Sequence, residues 1–268
     1  MLVVSGIVTL SIMRPYACGK MCVQGRVYSG QGMQMDDPED KHVFLRYFSA
    51  NGMEPILRSG TYVEMGAHNG AAMSNTHWLE CNLGWRGVLI EPDQAQFAKL
   101  TALRGQPKLS NHLFPYASGC MKPGLIGIDR KGPQSRTNLT LVAGGATVEC
   151  RPLSTMLSQA NVTHINLFSL DVEGFELQVL RSMNWASTHV DVLVIELSER
   201  GWPNATRTWL RGQGMRRVEP NMGFGNEVWL GPNFEPPMRN DSTSAAPAFD
   251  SHGYLKGSTT CAGGRFPL

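Results

Sequence analysis

Residues 62–70 read Tyr-Val-Glu-Met-Gly-Ala-His-Asn-Gly, and residues 88–93 read Val-Leu-Ile-Glu-Pro-Asp. Each is a short apolar run ending in a glutamate, and the first continues into a turn that carries two glycines. Proteins that alternate strands and helices bind ligands at the carboxyl ends of their strands, so a ligand is expected where these two runs end. Gly66 and Gly70 relieve crowding, which would let backbone amides of the turn approach that ligand. Glu91 can accept two hydrogen bonds from a ribose diol, and a carboxylate there disfavours a bound phosphate. The pair points to a nucleoside cofactor without a nearby phosphate, such as S-adenosylmethionine.

The flanking sequence repeats strand then helix. Thr61–Met65 reads as the first strand. Ser74 can cap a helix that runs to Leu83, and Gly84 ends it. Val88–Glu91 is the second strand, with a helix over Gln94–Leu103 closing at Gly105. Leu109–Tyr116 reads as a third strand and Ile165–Asp171 as a fourth, followed by a helix over Glu173–Met183. The fifth, Val190–Leu197, is nearly all apolar, as in a central parallel strand buried on both faces. Thr206–Gly212 is a helix, and Met215–Glu219 with Glu227–Leu230 suits an antiparallel terminal pair. Leu125–Asp129, Leu139–Ala143 and Thr147–Cys150, parted by Gly132-Pro133 and Gly144-Gly145, make a β-rich insertion near the ligand face. The pattern predicts an α/β fold, a doubly wound and mostly parallel sheet with an antiparallel terminal hairpin.

Three segments are expected. Residues 1–35 are signal-like or irregular, 36–231 form the domain, and 232–268, rich in Pro, Ser, Asn and Gly, form a disordered tail. Within the first, the apolar run Leu2–Met13 is too short to span a bilayer as a helix. It resembles the core of a signal peptide with Ala17 and Gly19 downstream, although no basic residue precedes it; the other reading is a buried strand. Asp37 and Pro38 begin a helix, and Val43, Phe44, Tyr47 and Phe48 make its apolar packing stripe.

A formal charge of +2 with 17% charged residues argues against a dedicated nucleic-acid binder, which would carry a basic stripe. The six cysteines lack zinc-site spacing, and Cys120 with Cys150 is the expected disulfide. Four glycosylation sequons, at Asn138, Asn161, Asn204 and Asn240, lean with the cysteines towards the secretory pathway, Golgi or extracellular space.

The third signal is residues 168–176, Phe-Ser-Leu-Asp-Val-Glu-Gly-Phe-Glu. Asp171 ends a strand in the sheet centre and faces the same crevice. Glu176 reads as a solvated or capping carboxylate at a helix start. Together with Ser74-Asn75-Thr76, Leu79-Glu80, Gly84-Trp85-Arg86-Gly87 and the two glutamate-terminated runs, the chain over residues 41–231 resembles the FkbM methyltransferase family. Ser-Asn-Thr and Gly-Trp-Arg-Gly are similar to the branch with animal Star-like proteins. The resemblance implies a Rossmann-like class I methyltransferase fold, S-adenosylmethionine as cofactor, and methyl transfer usually to oxygen. It places Glu64, Gly66, Ala67, Asn69 and Gly70 in the cofactor loop and Glu91 on the ribose. Ala117 and Ser118 would offer backbone amides to the adenine, and Asp171 and Glu173 would sit by the transferred methyl. Glu64 would either fix the loop or hold the cofactor's ammonium. Asn75 is a cofactor contact or a helix cap, and His68 a polar surface contact.

An O-methyltransferase acting on a small-molecule or glycan hydroxyl is the function expected, with Asp171, or else Glu173, as the base. No metal site is expected, Asp171, Glu173 and Glu196 lacking a distinctive cluster pattern; membrane association would come only through the N-terminal segment. A non-catalytic trafficking module on the same fold is the rival. A nicotinamide oxidoreductase would need the Gly-x-Gly-x-x-Gly spacing absent here.

Overall fold

The computed structural model describes residues 39–50, 54–71, 74–129, 136–138, 146–197, 202–220 and 225–237. The expectations for residues 1–38, 139–143 and 238–268 lie outside these, as do those for Cys18, Cys22, Cys261 and Asn240.

Helix α1 (Glu39–Tyr47) carries the expected stripe. Val43, Phe44, Tyr47 and the following Phe48 are all buried, packed with Leu79, Trp85, Val192 and Val228. Each such side chain contributes roughly 1.5–3 kcal/mol on burial, which holds α1 on one face of the sheet. A minimal hairpin follows, β1 (Ser49–Ala50) with β2 (Glu54–Pro55). Then come β3 (Thr61–Met65), α2 (His77–Leu83), β4 (Arg86–Ile90), α3 (Gln94–Arg104) and β5 (His112–Phe114). Gly84 closes α2 in the left-handed conformation at φ 68°, and the Asp93 carboxylate caps α3 by accepting from Ala95 N at 2.8 Å and Gln96 N at 3.0 Å. Strands β6 (Gly124–Asp129), β7 (Arg136–Asn138) and β8 (Ala146–Cys150) precede α4 (Leu153–Gln159), β9 (His164–Leu170), α5 (Glu176–Arg181) and β10 (His189–Glu196). The chain finishes with α6 (Pro203–Gly212), β11 (Arg216–Glu219) and β12 (Asn226–Leu230).

The main sheet has seven strands in the order β11-β12-β10-β9-β3-β4-β5. From β10 to β5 every pairing is parallel. Strand β12 runs antiparallel to both β10 and β11. The strand order reverses between β3 and β9, and the crevice at such a reversal is where ligands bind in open α/β sheets. The insertion is a three-stranded antiparallel sheet, β7-β6-β8. It is fastened to the chain after β5 by the Ala117–Cys150 bridge and by the expected Cys120–Cys150 disulfide.

Several boundaries differ from expectation for physical reasons. Strand β5 is shorter, because Ser110 is left-handed at φ 54° and Pro115 has no N–H for the ladder. Helix α5 starts at Glu176 rather than Glu173, because Glu173 (φ 57°) and Gly174 (φ 106°) are both left-handed, which a right-handed helix cannot absorb. Strand β10 is buried on both faces but has one antiparallel neighbour. Helix α4 was not expected, although Leu153, Met156, Leu157 and Ala160 follow helical spacing behind Pro152 and are buried. The expected tail is packed at its beginning, with Phe234 tilted against Phe48 at 5.7 Å between ring centroids.

Candidate active site

The ends of β3, β4 and β9 meet at the strand-order reversal, and the loops leaving them are bonded to one another. After β3, Gly66 N and Ala67 N both donate to Ile90 O, at 3.1 and 3.2 Å. His68, left-handed at φ 47°, donates its N–H to Glu91 Oε2 at 2.8 Å. Gly70 N donates to Ala67 O, and Asn69 Oδ1 accepts from Ala71 N at 3.0 Å. The amides of Gly66, Ala67, His68 and Gly70 are thus spent on the protein, which corrects the expectation for those four. The glycines also serve close packing. A Cβ on Gly66 (φ 80°) would stand 2.0 Å from Asp171 O, and one on Gly70 (φ 79°) 2.6 Å from Leu100 Cδ1.

Of the two roles expected for Glu64, the geometry assigns loop fixing. Its carboxylate is buried and accepts from Ser74 Oγ at 2.9 Å, Asn75 N at 2.7 Å and Thr76 Oγ1 at 2.5 Å, with Arg104 Nη1 at 3.5 Å. Burial raises its pKa, and Arg104 and these donors pull it back. The N-cap of α2 is Thr76 rather than the expected Ser74, although Ser74 Oγ accepts from Thr76 N at 3.4 Å and, at 3.2 Å, from the N–H of His77, the first residue of the helix. Asn75 instead joins the loop to β9 through Ser169 Oγ, at 3.0 Å.

Glu91 directly follows β4 and is buried, at 6% exposure. Its Oε1 accepts from Asp93 N and its Oε2 from His68 N, both at 2.8 Å. Each oxygen thus retains a lone pair for a further donor, as two ribose hydroxyls require. Burial, opposed by those two amides and assisted by the charges of Asp93 and Asp171, pushes its pKa up to about 7.

After β9, Asp171 N donates to Met65 O at 3.2 Å, which sets the Asp171 backbone against Gly66. The Asp171 side chain is exposed to the cleft. Crowding by protein and then a hydrogen-bonded Glu196 raise its pKa, while the Glu173 amide lowers it; access to the cleft softens the first of these. Ile195 pairs with Leu170, so Glu196 and Asp171 leave adjacent strands side by side. Glu176 is not solvated, but it is the acidic residue in the first turn of α5 and gathers backbone amides at that helix start, in keeping with the capping reading. It is buried, its Oε1 accepts from Gly174 N at 2.9 Å and Val172 N at 3.4 Å, and burial lifts its pKa to about 7. It holds the left-handed Glu173–Gly174 turn, and Glu173 itself is half-buried.

Ala117 and Ser118 are buried beyond β5. The Ala117 amide already donates to Glu149 O at 2.9 Å, so it cannot be the donor expected for an adenine edge. Ser118 Oγ lies 3.4 Å from Ser182 Oγ. Among the described residues no three His, Cys, Asp or Glu side chains are grouped to hold a metal ion. No described helix is long and apolar enough to cross a membrane.

Tyr62 and Glu80 stand in the quoted motifs without a role and Arg104 in none of them, yet Arg104 is fully buried beneath the glycine turn. A signal existed. Phe97, Leu100 and Arg104 share one stripe of α3, so the arginine stands where an apolar residue belongs.

Residues 64–217 match the family described as the Methyltransferase FkbM domain. No curated protein matches the chain in sequence. Solved structures similar to it include the METTL16 methyltransferase domain, at 13% identity and TM-score 0.37, covering 64% of this chain and 58% of that one. A putative rRNA-methylase from Clostridium thermocellum is 10% identical, with TM-score 0.40 and coverage of 76% and 100%. The O-methyltransferase from Bacillus cereus in complex with SAH is 8% identical, with TM-score 0.38 and coverage of 82% and 93%. The chain thus spans little more than half of the METTL16 domain structure.

Proposed function

Because this chain belongs to the FkbM methyltransferase family, whose methyl donor is S-adenosylmethionine, we propose that it methylates a hydroxyl oxygen of a small-molecule or glycan acceptor. The observation that carries the reading is the placement of Asp171. It is an exposed carboxylate at the strand-order reversal, its backbone against the cofactor turn at Gly66.

The donor fits the residues present. Glu91 supplies two oxygens with capacity left for a ribose diol, in a buried setting that strengthens such bonds. When bound, the donor supplies an electrophilic methyl on a positively charged sulfur. The chain's own residues do the rest. Glu91 orients the nucleoside, and Glu64 fixes the turn that walls the crevice. Glu176 holds the turn after β9, and so the direction of Asp171. Asp171 takes the proton of the acceptor hydroxyl as its oxygen attacks, and the Glu196 carboxyl beside it shares that proton. Burial and the neighbouring Glu196 raise the Asp171 carboxyl above the ordinary aspartate range, so its ionised form is a stronger base than an ordinary aspartate. Glu91, with capacity left on both oxygens for a ribose diol, supports donor binding over a non-catalytic module on the same fold. The same proposal places the protein in the secretory pathway, supported by the Cys120–Cys150 disulfide, which persists in oxidising compartments.

Calorimetric titration with S-adenosylmethionine, followed by turnover on a panel of hydroxylated acceptors, tests this. Wild type should bind, Glu91→Ala should lose at least tenfold in affinity, and Asp171→Asn should bind normally while losing turnover. A well-folded wild type that ignores the donor would refute the enzyme reading. Full turnover by Asp171→Asn would refute the role of that residue.

A further inference from the structure

Arg104 is the last residue of α3 and has no exposed surface. Its guanidinium donates along two fronts. Towards the cofactor turn, Nη1 donates to Gly70 O at 3.4 Å and Ser74 Oγ at 3.0 Å, and Nη2 to Thr76 Oγ1 at 3.1 Å. Towards the body of the protein, Nε and Nη2 reach Glu80 Oε2 at 3.2 and 3.0 Å, and Nη2 reaches Tyr62 OH at 2.7 Å. Glu64 completes the set at 3.5 Å. Two buried carboxylates thus face one buried cation, in a pocket that Asn111 closes by donating to Glu80 and accepting from Tyr62 OH.

A buried cation with such partners is often no more than an internal strut, and a well-packed apolar group can replace one without loss. The placement here argues for more. Helix α3 begins at the Asp93 cap, beside Glu91, and ends at Arg104 under the glycine turn. One rigid element therefore carries both the ribose carboxylate's neighbour and the group that clamps the turn. Gly70 is pressed onto the same helix, since a Cβ there would meet Leu100 and, at 3.1 Å, Arg104 Cδ. The turn needs such a clamp because Gly66, His68 and Gly70 are all left-handed, a conformation uncommon for a residue other than glycine.

We infer that Arg104 is a positioning residue for the nucleoside site: it fixes the turn after β3 relative to Glu91, so that both halves of the cofactor cradle are set before the ligand arrives. The inference rests on the nucleoside reading given above. A lysine in its place keeps the charge but not the planar fork that reaches several acceptors at once. The turn would then sample other arrangements, and the ligand would have to select the competent one, weakening apparent affinity by the competent fraction.

The experiment compares wild type, Arg104→Lys and Thr76→Val, the last removing both the acceptor for Arg104 Nη2 and the donor to Glu64 Oε2 while keeping every charge. S-adenosylhomocysteine affinity is measured by calorimetry at 25 °C, thermal unfolding by circular dichroism, and hydrogen exchange at Gly70, Ala71, Asn75 and Thr76. The expected result is at least tenfold weaker binding by Arg104→Lys and severalfold weaker by Thr76→Val. Exchange should be faster in the turn and unchanged in β9 and β10. A purely structural strut would lower the unfolding midpoint and leave affinity within twofold, which overturns the inference. If Arg104→Lys does not fold, Thr76→Val decides alone on the same criteria. Failure of wild type itself to bind would strike the nucleoside reading, and this inference with it.

Discussion

Glu91 makes the clearest case for residue-level control. Its carboxyl is held up to about 7 by burial, against the pull of the His68 and Asp93 amides. For an acid raised in this way the folded state favours the protonated form. Its contribution to stability is therefore greatest below the ordinary glutamate range and declines as pH rises towards 7. Ligand binding has the opposite dependence, because the ionised carboxylate is the one that can accept from two hydroxyls. Affinity for S-adenosylhomocysteine should fall by up to about tenfold per pH unit below 7, a slope that calorimetry across pH 5.5–8.5 would detect and Glu91→Gln should flatten. The sequence exposed Glu91, because a glutamate ending an apolar run has few other uses. It did not expose which amides would be free. The Ala117 N–H is committed to Glu149 O, a partner on the last strand of an insertion whose docking no local pattern encodes.

Among elements, α1 and the terminal hairpin depend on each other across the length of the domain. His42 Nε2 contacts Glu219 Oε2 at 3.0 Å, Arg46 Nε reaches Oε1 at 3.2 Å, and Tyr47 donates its hydroxyl to the same carboxylate. Partial burial pushes Glu219 up, but the bonds from His42 and Tyr47 and the charges of His42 and Arg46 outweigh it and leave its pKa below the ordinary value. Such a group stabilises the fold above the ordinary glutamate range, and the effect is lost as pH falls through its lowered value. Glu219→Gln should cost roughly 1–3 kcal/mol at pH 7, read from urea denaturation, with the gap to wild type closing in acid. Elements with strong periodicity were legible in the sequence. The first strand, Thr61–Met65, and the close of α2 at Gly84 fall where the residues put them. The start of α5 was not legible, because two left-handed residues before it obey a tertiary bond from Glu176 rather than helical propensity. Helix α4 is hard to read in the sequence because only seven residues of regular spacing sit behind a β-rich insertion.

For the whole molecule, the insertion is secured to the sheet at one corner by Cys120–Cys150, thirty residues apart in sequence. A loop of that length is worth about 3–4 kcal/mol in the chain-entropy account. Reduction under native conditions should therefore lower the unfolding midpoint by several degrees, as scanning calorimetry with and without reductant would show. Strand-order reversal has a consequence of another kind. Thr61 and Asn166, joined by a 2.8 Å bond, are 105 residues apart, and β3 meets β9 at that distance along the chain. During synthesis the glycine turn and Glu91 leave the ribosome long before Asp171 does, and half a crevice has little hold on a nucleoside. The ligand can recognise the chain only after its two halves have closed on each other. Donor binding would then report one long-range step of folding, and a cell short of donor would lose this stabilisation at the seam where those halves join.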